Sequence, residues 1–270
     1  MEVLGRIVSH NKFGEGKIVA QGETSISIEF STGVKIFQYP DCFEKFITFV
    51  NGEIPFVILE DIKEMEKEER VKRIEESISS SGKRLIGKRS KDSEANLSSN
   101  LISIHKACWE YLLKHQQENP GFHFVPRKMN NKNRLNEGYY FTGGNNYLLI
   151  TFWDGVGDTK NVTHTIDFGV LDDGCAYIQF SSRDDDDRAK YLKEMISILE
   201  KKLGNRYNGD AVNYWRRFYP ANLDFIDALQ SFIENEKPII DEYVKEHPDL
   251  ALKLADSSND KYITKILELQ

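Results

Sequence analysis

Cysteine is scarce in this 270-residue chain, with only Cys42, Cys108 and Cys175 present. They stand far apart and form no Cys-x-x-Cys pair, which excludes a disulfide framework and a zinc ribbon. Their apolar neighbours predict three small buried thiols. Long apolar runs are also missing, since no stretch approaches the ~18 residues that a membrane span needs. The opening Met1-Glu2-Val3-Leu4-Gly5-Arg6 carries no apolar signal core, so a cytoplasmic protein without a membrane partner is expected. Positive charge is in deficit: 36 Lys and Arg against 43 Asp and Glu leave a formal charge of −7. The overall field therefore does not draw nucleic acid, and any such contact needs a local basic patch. No Walker loop, dinucleotide glycine pattern or Gly-x-Ser-x-Gly elbow is present, and no cofactor is implied.

What the chain does contain is organised in blocks. Its length favours about two domains. Residues 1–50 read as short strands broken by glycine. Ser25-Ile26-Ser27-Ile28-Glu29-Phe30 alternates strictly, the period of a strand with one buried face. Gly14, Gly16, Gly22 and Gly33 mark turns, and Lys35-Ile36-Phe37-Gln38-Tyr39 restarts a strand that Pro40 ends. So small a sheet is expected to bury its apolar face by curling into a barrel.

Gly5-x-x-Val8-x-His10-x-x-Phe13-Gly14-x-Gly16-x-Ile18, then Ile28-x-Phe30 and Gly33-x-Lys35-x-Phe37-x-Tyr39-Pro40, resembles a bacterial Tudor-like SH3 barrel. Similar modules form the RNA-polymerase-interacting domain of the CarD family and the C-terminus of UvrD/PcrA helicases. The resemblance covers the first fifth of the chain and implies docking onto a protein. The Phe13-Gly14 pair fits a turn in which glycine passes under an aromatic ring. Phe13, Phe37 and Tyr39, with Phe30, offer aromatic faces to a partner.

From 51 to 96 a charged helix and a flexible linker are expected. Glu66–Arg70, Glu68–Lys72 and Glu69–Arg73 are i,i+4 pairs with the acid first, suited to an exposed helix. A hinge falls at 79–96, where Ser, Gly, Lys and Arg lack apolar period.

Residues 97–270 read as an α+β domain. Leu97, Leu101, Ile104, Cys108, Tyr111 and Leu112 recur at helical spacing. Four strands follow, at Tyr139–Thr142, Tyr147–Trp153, Thr163–Leu171 and Ala176–Ser181, joined by Gly-, Asp- and Asn-rich turns that fit antiparallel hairpins. Helices from about Asp187 to Leu203, from a cap near Asn222, and around Pro238 complete an antiparallel sheet packed with helices. The run Asp184–Asp187 is read as helix capping.

Arg127-Lys128-Met129-Asn130-Asn131-Lys132-Asn133-Arg134 holds four positive charges, three asparagines and no acid. Cations there suit phosphates, the amides of Asn130, Asn131 and Asn133 suit base edges, and Phe122, Phe124, Tyr139 and Tyr140 suit stacking. Contact with DNA or RNA is the expectation for this loop, and Trp153 is a further candidate partner contact. Gly138-Tyr139-Tyr140-Phe141-x-Gly143 and Phe152-Trp153-Asp154-Gly155 are similar to segments in the recognition regions of McrB-like restriction proteins.

The leading expectation is a non-catalytic adaptor or recognition protein. Its barrel docks a partner, and its α+β domain binds nucleic acid or a second partner. The alternative is a divergent metal-dependent nuclease or hydrolase built on Asp154, Asp158, His164 and Asp167.

Overall fold

The computed structural model describes residues 3–52, 54–81, 94–156, 164–182, 185–209 and 213–270. Two compact units divide after Arg70, Met1–Arg70 and Val71–Gln270. The first carries β1 (Ile7–His10), β2 (Gly14–Gln21), β3 (Ser25–Phe30), β4 (Gly33–Gln38), α1 (Cys42–Lys45), β5 (Ile47–Phe49) and the start of α2 (Phe56–Ser81). All its strand pairs are antiparallel, in the order β4-β3-β2-β1-β5. The alternation of β3 is realised, with Ile26, Ile28 and Phe30 buried.

This sheet does not close into the expected barrel. Phe43 of α1 and Ile58 and Ile62 of α2 join the cluster around Ile18, Ile26 and Ile28, so helical side chains supply part of the cover that closure would have given. Turn chemistry fixes the hairpins. Gly14 ends the β1–β2 loop at φ 73°, and Gly33 closes the tight β3–β4 turn at φ 105°, conformations that a side chain resists. The glycine that passes under an aromatic ring is Gly16, not Gly14. A Cβ on Gly16 would lie 2.6 Å from the Phe30 ring, whereas one on Gly14 would meet nothing within 4 Å.

The second unit is α+β, as its pattern predicts. The strands are β6 (Thr142–Gly143), β7 (Tyr147–Ile150), β8 (Trp153–Gly155), β9 (Ile166–Leu171), β10 (Ala176–Ser181), β11 (Asn208–Gly209), β12 (Tyr214–Phe218) and β13 (Leu252–Leu254). Its main helices are α3 (Glu94–Glu118), α4 (Asp186–Leu203), α5 (Phe225–Ser231), α6 (Lys237–Glu246) and α7 (Asp260–Leu267). The expected hinge falls mostly on 82–93, outside the described residues.

Six strands, not four, form the main sheet, in the antiparallel order β11-β12-β10-β9-β7-β6. The single strand expected at Tyr147–Trp153 divides, because β8 leaves β7 and pairs with β13 in a small second sheet. Strand β12 went unanticipated: its two central arginines disguise a strand with side chains buried on both faces. One face of the sheet packs Ile150, Phe168, Ile178 and Phe180 against Leu101, Ile104 and Cys108 of α3 and Leu192 and Leu199 of α4. All three cysteines are buried free thiols.

Helix ends follow local rules. Asp185 caps α4 by accepting from the Arg188 N–H at 3.0 Å, and Gly204 ends that helix at φ 72°; Asp184 lies outside the described residues. Between α5 and α6 the chain makes a π-turn, Phe232–Glu236. Pro238 has no N–H and its ring crowds the carbonyl four residues back, so the tighter α-turn is disfavoured there.

On the other sheet face, Gly169 of β9 lies opposite Tyr177 of β10, and a Cβ at 169 would come 2.2 Å from that buried ring. Gly169→Ala should therefore destabilise the second unit by about 1–3 kcal/mol. Urea unfolding followed by circular dichroism checks this, and an unchanged midpoint would mean that Tyr177 has room to move.

Candidate binding surfaces

In the first unit, Phe13 and Phe37 are half-buried at the rim of the apolar cluster. Ring centroids lie 4.7 Å apart for His10–Phe13, 5.3 Å for His10–Phe37 and 5.5 Å for Phe13–Phe30. Phe46, 43% exposed, extends the group at 6.0 Å from His10. The ammonium groups of Lys12 and Lys35 stand 5.8 and 5.7 Å from the Phe13 centroid, close enough for cation–π attraction. Tyr39 does not join this cluster. It is buried against Phe43, and its hydroxyl donates to Asp61. Burial, then the Asp61 carboxylate, pushes the phenol above its ordinary pKa.

Strand β4 borders this patch and is an open edge. Tyr39 N–H donates to the Thr24 carbonyl at 3.1 Å, and Gln38 lies opposite Ser25. Antiparallel pairing then turns the backbone groups of residues 35 and 37 towards β3 and those of Val34, Ile36 and Gln38 outward. The side chains on this edge are apolar and bare, Val34 being 54% and Ile36 74% exposed.

The basic segment 127–134 is folded around its charges. Arg127 Nε donates to the Tyr139 carbonyl at 2.8 Å, and its Nη2 donates to the Phe141 carbonyl at 2.7 Å. Lys128 Nζ sits 2.7 Å from Asp154 Oδ1 in a partly buried ion pair. Arg134 donates to Asn145 Oδ1 and stacks 4.3 Å from the Tyr139 centroid. Asn130 Oδ1 accepts from the Leu135 N–H at 2.8 Å, and its amide donates to Asn136. Lys132 makes no ion pair among the described residues and, with Asn131 and Asn133, is exposed; Lys132 and Asn133 both have positive φ. Of the proposed stacking rings, Phe124 and Tyr139 are buried, while Phe122 and Tyr140 are half-buried. Trp153 is a core residue rather than a partner contact: it is fully buried, and its Nε1–H donates to Asp241 at 3.0 Å.

Of the expected metal centre, Asp154 does not group with His164 and Asp167 into a set of three among the described residues. Asp154 is taken up by Lys128, by Asn259 Nδ2 at 3.2 Å and by the Gly155 N–H at 3.0 Å. Asp158 lies outside the described residues. His164 and Asp167 do meet, Nδ1 to Oδ1 at 3.1 Å, with the His164 side chain 20% exposed and Asp167 fully buried. Among the described residues no group of three His, Cys, Asp or Glu side chains converges to hold a metal ion.

The dyad instead opens a hydrogen-bonded chain that the sequence did not reveal. Gln179 Nε2 donates to Asp167 Oδ2 at 3.0 Å, and Tyr214 Oη donates to Gln179 Oε1 at 2.8 Å. Arg216 donates to the same amide oxygen at 3.3 Å, and its guanidinium lies 4.1 Å from the Tyr177 centroid. A buried carboxylate that orients an imidazole is the geometry of a positioned base, yet the continuation to Arg216 equally serves to balance buried charge.

No protein-family model, no curated protein and no solved structure matches the chain.

One titrating group stands beside the basic loop. His105 of α3 is fully buried and accepts from the Phe141 N–H through Nδ1 at 3.3 Å. Burial, followed by the charges of Arg127 and Arg134, pulls its pKa down to about 3. The unfolded chain takes up this proton near pH 6.5 and the folded chain only near pH 3, so His105 removes stability as pH falls through that window. The expected loss is about 1.4 kcal/mol per pH unit from this residue, with no effect above the window. His105→Gln keeps an acceptor and abolishes the titration. Its urea-derived stability should depend less steeply on pH between those limits, and equal slopes would refute the assignment.

Proposed function

We propose that this chain is an adaptor whose first unit docks a partner protein by strand addition along β4. The observation that carries this reading is the open edge itself. Outward backbone groups at Val34, Ile36 and Gln38 run beside bare apolar side chains and the half-buried rings of Phe13 and Phe37. Unpaired strand edges of this kind recruit extended peptides, with backbone hydrogen bonds giving affinity and side-chain pockets giving selectivity. The likeness of residues 5–40 to the Tudor-like modules of the CarD family and UvrD/PcrA helicases points the same way, since those modules dock proteins. Among the described residues, ten of the fourteen exposed large apolar side chains fall before residue 60, which further favours this unit as the docking part.

Two experiments test the docking. Val34→Asp with Ile36→Asp should abolish capture of the partner while leaving the melting of the first unit nearly unchanged, because both side chains are exposed. Hydrogen exchange on the captured complex should protect the amides of Val34, Ile36 and Gln38 and leave those of Lys35 and Phe37, already bonded to β3, as they were. Equal capture by the double variant would overturn the reading.

For the second unit we propose recognition of nucleic acid or of a second partner, as the composition of 127–134 suggests. With Arg127 and Lys128 committed to the fold, phosphate contact there would rest on Lys132 and in part on Arg134. Lys132→Ala should lower the log–log salt slope of oligonucleotide binding by about 1. Fluorescence anisotropy over a salt series checks this. A wild type that binds no oligonucleotide at low salt leaves a protein as the partner of this unit.

A further inference from the structure

One feature of the second unit adjoins the 127–134 segment through Asn136 and Tyr140. An open cleft of about 500 Å³ runs between α3, the turn 135–140 and the segment Leu269–Gln270, within the size range of small-ligand sites. Its floor is Trp109, which is only 2% exposed, and its walls include Leu113, Leu135 and Tyr140. The Tyr140 ring leans on the indole, centroids 5.1 Å apart at 38°. At the rim, Lys106 and Glu110 stand 3.8 Å apart and cancel each other's charge, and Asn136 adds an amide.

The informative atom is Trp109 Nε1. An indole N–H only donates, and here it is closed from solvent with no acceptor. A buried donor without a partner costs about 1–3 kcal/mol, and native structures keep few of them. Trp153, by contrast, has its donor satisfied by Asp241. The Trp109 ring is fixed from behind by Phe124 and Phe141, at 5.8 and 6.1 Å, and Tyr140 is the half-buried ring among its aromatic neighbours.

We propose that this cleft binds a neutral, planar aromatic ring that carries a carbonyl or ring-nitrogen acceptor. The ring takes the place of Tyr140 against the apolar walls, its acceptor receives the Trp109 N–H, and the Asn136 amide reads a second polar edge. Neutrality follows from the cancelled rim charges. A purely apolar ring would leave the indole donor as unsatisfied as before, which is the basis of discrimination. The same chemistry is presented by a free heterocycle or aromatic amide and by an unstacked base within a single strand.

Nuclear magnetic resonance of the ¹⁵N-labelled full chain tests the proposal through its three indole N–H signals, those of Trp109, Trp153 and Trp215. Nicotinamide or adenosine should move the Trp109 signal saturably downfield and leave that of Trp153 in place, while toluene at the same concentration should not. Leu113→Trp fills the cleft from a half-buried position and should weaken the response at least ~10-fold, about 1.4 kcal/mol, with folding verified by the unchanged Trp153 signal. A short single-stranded oligonucleotide distinguishes the source: a response to it at far lower concentration than to adenosine assigns the ring to a strand, and the reverse assigns it to a small molecule. The proposal fails if no probe moves the Trp109 signal, or if toluene moves it equally, or if the Leu113→Trp protein responds like the wild type. Failure of partner capture by β4 has no bearing on these outcomes, because the readout sits in the second unit.

Discussion

Two adjacent arginines in the middle of β12 set the terms on which the second unit folds. Arg216 and Arg217 point to opposite faces of the sheet and both are largely withdrawn from water, so each must be compensated where it lies. Arg217 pairs with Glu236 and packs 4.3 Å from the Tyr219 ring. Desolvation pushes the Glu236 carboxyl upward, and the guanidinium beside it opposes that shift. Glu236 is the last residue of the π-turn, so the wide turn and the ion pair occur at one point of the chain. Arg216 is met on the other face by Gln179, Tyr214 and the Tyr177 ring, and through Gln179 it is linked to Asp167. Removing either compensation would strand a charge inside the sheet, a penalty of about 3–5 kcal/mol for a fully buried pair.

This constraint also explains what the sequence disclosed and what it hid. The strands β3, β9 and β10, the capping run at Asp184–Asp187 and the helix reaching Leu203 were legible because each depends on residues close in the chain: period and capping carboxylate. Strand β12 was not legible, since Tyr214-Trp215-Arg216-Arg217-Phe218 looks like an exposed segment until Gln179 and Glu236 are brought to it. The partners of the basic loop were hidden for the same reason. Its composition gives four charges, but Asp154 and Asn145 and the carbonyls of Tyr139 and Phe141 lie 11 to 26 positions away or across a turn, and they consume three of them. The pair His164–Asp167 was within reach of sequence reasoning, being three residues apart; the chain that continues it through Gln179 was not. Trp153, a candidate partner contact in the sequence, lies in the core with its N–H satisfied by Asp241, 88 positions away.

The two units differ in how they treat their apolar and polar side chains. The second encloses almost all its large rings and spends most of its charged groups on internal pairing, which leaves narrow openings such as the cleft over Trp109. The first leaves apolar side chains outside on a short sheet with one strand edge unprotected. The proposed strand capture by the first unit and the proposed aromatic site of the second follow these two patterns.

An unpaired edge is indiscriminate about who completes it. The outward groups of Val34, Ile36 and Gln38 are satisfied as well by β4 of another copy as by a partner's strand, and Ile36 offers such a copy an apolar seam. Lys35 works against that outcome, because antiparallel self-pairing brings two ammonium groups into one narrow ladder. Under the proposed docking, a partner strand on β4 closes this route to self-pairing, so one interaction would serve both recognition and protection of the edge.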